Sequence, residues 1–145
     1  MELSEETETR IDLLAEEGNA LLDGMGDWQG AIAVWQRALD LLPAPQSQWE
    51  QTVWLQASIG TAWRMGGEET RALEAFDAAY HAPDGHLNPF ILVNLGALLI
   101  PRDAEAATQL LLRAYMLEGE EIFEDEEPAL AFLASRVDLS KPPRH

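Results

Sequence analysis

A pattern of small and large residues recurs three times along the chain and restricts it to paired helices. In the stretch GDWQGAIAVWQRALDLLP, from Gly26 to Pro43, two alanines flank an aromatic residue and a proline follows them. Small side chains at fixed places on a helix let a second helix lie close to it, where a larger side chain would overpack. The three matching sets are Ala31, Trp35, Ala38 and Pro43; Ala72, Phe76, Ala79 and Asp84; and Ala107, Leu111, Ala114 and Gly119.

A matching first helix lies upstream of each of these sets. The matched residues on these first helices are Asn19 and Leu22, then Gly60 and Trp63, then Gly96 and Leu99. A helix–turn–helix unit repeated three times predicts a solenoid of stacked helical hairpins.

Helix-start and helix-stop residues divide the chain into seven predicted helices. Asp27, Asn88 and Asp103 are suited to cap helix N-termini. The sequence SQWE, which begins at Ser47, is a capping-box signature. No stretch alternates apolar and polar residues as a half-buried strand would. We therefore predict an all-α fold with short loops and antiparallel neighbours, with helices over about 4–24, 27–42, 47–65, 68–82, 88–100, 103–118 and 128–136.

The pattern AI..W..AL.L.P of the second helix resembles the tetratricopeptide repeat (TPR) family. The resemblance covers residues 10–119, although the third unit lacks the large aromatic residue in both helices. It implies one TPR-like domain over 1–145, with repeats at about 10–45, 47–84 and 88–119. An acidic segment and a capping helix would follow at 120–136, and a tail at 137–145. Deletion of 120–145 is then expected to expose Leu111, Leu112 and Tyr115.

The C-terminal part, RAYMLEGEEIFEDEEPALAFL, also resembles a narrower group of bacterial TPR proteins. In that group similar repeats occur together with an APDG…NPF linker and a LEGEEIF segment. Some of these proteins look like immunity proteins, which are inhibitors encoded beside polymorphic toxins. The resemblance implies a protein that binds and blocks a toxin domain.

The charge of the chain restricts its partners. Asp and Glu number 26 against nine Lys and Arg, which gives a formal net charge of −17. Such a field repels nucleic-acid phosphates and anionic lipid heads and attracts basic proteins. The chain has no cysteine, its first ten residues are acidic and polar, and no apolar run approaches the length of a membrane span. We therefore expect a cytoplasmic protein with a basic protein partner, no nucleic acid and no membrane.

Sequence motifs for catalysis, metals or cofactors are nearly absent. His81, Asp84 and His86 lie close together in sequence, but their spacing fits a solvated loop better than a zinc site. The GMG at 24–26 lacks the rest of a phosphate-binding loop. We expect a non-enzymatic protein without a cofactor or metal.

Stacked repeats would present one face of each first helix to a concave groove. That face is predicted to carry Leu13, Glu16, Ala20 and Asp23, then Trp54, Ala57, Thr61 and Arg64, then Phe90, Val93 and Ala97. TPR domains that hold acidic chaperone C-termini use cationic side chains on this face to clamp carboxylates. The predicted face of this chain has a single cation, Arg64, so it is poorly suited to that function.

Tryptophans and acidic residues are the main candidates for partner contact. Trp35 and Trp63 are predicted to be core residues and Trp28 to wedge between repeats, while Trp49 and Trp54 fit neither role. Trp54 and Phe90 either line the groove or pack between repeats. The acidic run 118–127 is either a solvated tail or a docking surface. The candidate partner-binding residues are Glu16, Asp23, Trp54, Arg64, Phe90, Glu120, Glu121, Glu124 and Asp125.

Two functions remain open at this point. One is an immunity-type inhibitor that acts as a monomer or weak homodimer and covers the active site of a basic toxin. The other is a TPR scaffold or assembly chaperone that holds an intracellular protein without inhibiting it.

Overall fold

The predicted all-α class is confirmed by a computed structural model, which describes residues 2–140. No strand occurs within that range, and its helices are joined by short turns. The α-helices are α1 Glu5–Met25, α2 Trp28–Asp40, α3 Glu50–Met65, α4 Glu69–Tyr80, α5 Pro89–Leu99, α6 Ala104–Glu118 and α7 Glu127–Arg136. Short 3-10 helices cover Gln46–Gln48, Gly85–Leu87 and Gly119–Phe123.

The chain divides into two compact units, Met1–Gly85 and His86–His145. In the first unit α1 packs on α2, α2 on α3, and α3 on α4. In the second unit α5 packs on α6, and α7 and the 3-10 helix Gly119–Phe123 pack on both. The boundary coincides with the linker between the second and third predicted repeats, and a single domain over 1–145 stays a prediction.

Three predicted caps are confirmed, because Asp27, Asn88 and Asp103 each accept a hydrogen bond from the first turn of their helix. The capping box predicted at Ser47 is wrong, because α3 begins at Glu50 and has no side-chain cap. Ser47 lies instead in the 3-10 helix Gln46–Gln48, and Trp49, just before α3, packs into the hydrophobic core. The buried indole of Trp49 donates a hydrogen bond from Nε1 to the carbonyl oxygen of Pro43, at 2.7 Å.

A glycine on the first helix of each pair receives a large side chain from the second helix. A Cβ atom added at Gly60 would lie 2.6 Å from Cε2 of Phe76. One added at Gly96 would lie 2.7 Å from Cγ of Leu111, and one at Gly18 would overlap the indole ring of Trp35. These distances are shorter than any carbon–carbon van der Waals contact, so only glycine allows the observed approach. All three large side chains are buried.

The alanines of the repeated pattern pack as the sequence predicts, since every one of them is fully buried. They are Ala31, Ala38, Ala72, Ala79, Ala107 and Ala114. The predicted match of Asn19 with Gly60 and Gly96 is wrong by one position. Asn19 is exposed, and the buried glycine that contacts the second helix is Gly18.

The tryptophans of the first unit have distinct surroundings. Trp35 is a core residue, as predicted. Trp28 packs across from α2 to the end of α3, with its ring centroid 5.8 Å from that of Trp63. Trp63 is only half-buried, which corrects its predicted core position. Its outer face carries the guanidinium of Arg71, 5.1 Å from the ring centroid.

In the second unit, the acidic segment is folded onto α6. Phe123 is buried, and its ring centroid lies 6.3 Å from that of Tyr115. Leu133 of α7 and Leu111 are also fully buried.

Past α7, hydrogen bonds from Ser140 lower the pKa of Asp138. The last five residues of the predicted tail, 141–145, lie outside the described residues.

The glycine contacts predict opposite effects for the same substitution at two places on α1. Gly18→Ala introduces overlap with Trp35 and is expected to lower the free energy of unfolding by about 1–2 kcal/mol. Gly24→Ala meets no atom within 4 Å and is expected to raise it by about 0.5–1 kcal/mol, because alanine favours the helix. Urea denaturation followed by circular dichroism measures both, and equal effects at the two positions would contradict the packing described.

Candidate functional site

An open cleft lies between the N-terminal halves of α1 and α3 in the first unit. It consists of two adjoining depressions of about 590 and 290 Å³, which share Glu8, Glu50 and Gln51. The larger depression is also lined by Glu2, Leu3, Glu5, Gln48, Trp49 and Pro83, and the smaller one by Ile11, Asp12 and Trp54. We call this feature the α1–α3 cleft.

The α1–α3 cleft is strongly negative. Its lining includes five carboxylates and, among the residues that the structure describes there, no Lys, Arg or His. Acidic residues are favourable in the first turn of a helix, which explains part of this pattern. Each helix N-terminus, however, is equivalent to only about half a positive charge. Two helix ends therefore leave most of the negative charge uncompensated.

A few apolar residues adjoin the carboxylates of the cleft. Ile11 is buried beneath it and Leu3 is half-buried beside it. Trp54 stands on α3 with 39% of its surface exposed, which is a large exposed fraction for a tryptophan. An exposed aromatic side chain next to carboxylates offers both apolar contact and charge to a partner.

Gln51 lines both depressions and has an unsatisfied group. Its Oε1 atom is buried and accepts no hydrogen bond from residues 2–140. A buried acceptor in this state costs about 1–3 kcal/mol relative to a paired one.

Trp54 is the one predicted partner-binding residue that lines the cleft. Glu16 and Asp23 are exposed on later turns of α1. Arg64 lies in the last turn of α3, ten residues beyond Trp54 and therefore about 15 Å along the helix axis. The structure does not bring these three residues into the cleft, and their role in partner binding stays a prediction.

The one-residue error at Asn19 explains why the sequence analysis missed Asp12. With Gly18 matched to Gly60, the position equivalent to Trp54 is Asp12. Asp12 and Trp54 do line the same depression. Aligning glycine with glycine would have found Asp12, but Glu8, Glu50 and Gln51 become cleft residues only through the packing of α1, α2 and α3.

The second unit carries the remaining candidates. Phe90 is in the first turn of α5 with 44% of its surface exposed. The side chains of Ile122 and Phe123 turn inward, while the acidic residues around them face the solvent. The acidic run is thus a fixed surface rather than a free tail, and the exposed predicted residues on it are Glu120, Glu121, Glu124 and Asp125.

Residues 2–140 contain no group of three or more His, Asp or Glu side chains placed to hold a metal ion. Within the same residues, no helix combines the length and apolar character needed to cross a membrane.

Comparison with known proteins adds no relative. No protein-family model matches the chain, and no curated protein shows significant sequence similarity to it.

Trp49, just before α3, and Trp54, within it, predict a contrast in stability. Trp49 has 7% of its surface exposed and a satisfied indole N–H, so Trp49→Ala is expected to cost about 3–5 kcal/mol. Trp54 is far more exposed, so Trp54→Ala is expected to cost about 1 kcal/mol or less. Chemical denaturation of both variants gives the comparison, and a large loss for Trp54→Ala would mean that this residue is structural.

Proposed function

We propose that the protein is a non-enzymatic, cytoplasmic protein-binding module built from TPR-like helical hairpins. The pairs α1/α2, α3/α4 and α5/α6 correspond to the repeats expected at about 10–45, 47–84 and 88–119. The recurring glycine contacts at Gly18, Gly60 and Gly96 support this assignment, because they place equivalent residues of each pair in the same close contact.

The observation that carries the binding function is the α1–α3 cleft. The cleft has five carboxylates and an exposed tryptophan, so the charges repel one another and the apolar surface of the indole remains hydrated. A basic protein surface would relieve both costs. The negative field accelerates its approach, and contact with Trp54 slows its dissociation.

Within this class we favour an immunity-type inhibitor of a basic bacterial toxin domain. Many toxin domains that act on nucleic acids need a basic active-site surface, and an acidic protein can cover such a surface by complementarity of charge. The second unit, described by itself, also has an acidic surface with Glu120, Glu121, Glu124 and Asp125, and its negative charge likewise attracts basic proteins. The resemblance of the LEGEEIF segment to immunity-type proteins supports the same choice.

The second candidate is a scaffold or assembly chaperone for an intracellular protein. The same cleft and the same charge support it, because they favour binding and do not require inhibition. Co-expression with a toxin distinguishes the two candidates, since only an inhibitor restores the growth of cells that produce the toxin.

Co-expression with the product of a neighbouring toxin gene tests the inhibitor directly. We expect the full chain to restore growth and to form a complex whose association rate falls about tenfold or more between low and high salt. The double variant Asp12→Asn/Glu50→Gln is expected to slow association. Glu17→Gln/Asp40→Asn removes the same charge at exposed positions outside the cleft and should slow it less.

Two results would count against this function. If a complex forms but growth is not restored, the protein is a scaffold rather than an inhibitor. If no neighbouring gene product binds, and the rate of any association is independent of salt, the acidic cleft is not a protein-docking surface.

A further inference from the structure

We draw no further inference here: the strongest candidate, the depression of about 190 Å³ between α2, α3 and α4 of the first unit, where the guanidinium of Arg71 lies over Trp63, also has Glu74 in its lining, so charge indicates no occupant and nothing in the structure shows what covers it.

Discussion

The close contact between paired helices at a glycine is the interaction on which the rest of the structure depends. Gly18, Gly60 and Gly96 each face a buried large residue, and no other residue type would fit at the observed separation. The large side chain can differ between the pairs, as Trp35 and Leu111 do, because the glycine leaves room for either. What the contact requires is one small and one large partner, and this requirement produces the recurring pattern of the sequence.

Formation of the cleft follows from this packing in the first unit. Since α2 packs on both α1 and α3, it holds those helices in a fixed relation. The start of α3 is fixed as well, because the indole of Trp49 is buried and bonded to Pro43. Trp54, one turn later, is thereby left on the surface beside the carboxylates of α1. The cleft is therefore lined by two tryptophans, the buried Trp49 just before α3 and the exposed Trp54 within it.

Local signals were sufficient to predict the helices and most of their caps. Asp27, Asn88 and Asp103 act through neighbours three residues away or fewer, so the sequence alone identifies them. Ser47 failed as a cap because it lies inside the 3-10 helix Gln46–Gln48, which ends before α3 begins at Glu50. Trp54 was recognised from its spacing along α3, but the acidic wall opposite it was missed. That wall lies on another helix, and a one-residue error in matching Asn19 changed which side chains were expected to face it.

A double-mutant cycle at Gly60 and Phe76 tests the role of the glycine contact most directly. If overlap with the ring is the reason for glycine, Gly60→Ala should destabilise the wild type but have a much smaller effect in a Phe76→Ala background, where the whole ring is absent. Urea denaturation of the four proteins should then give a coupling free energy of about 0.5–3 kcal/mol. Strictly additive effects of the two substitutions would contradict the account, because they would show that the glycine is not needed to admit the ring.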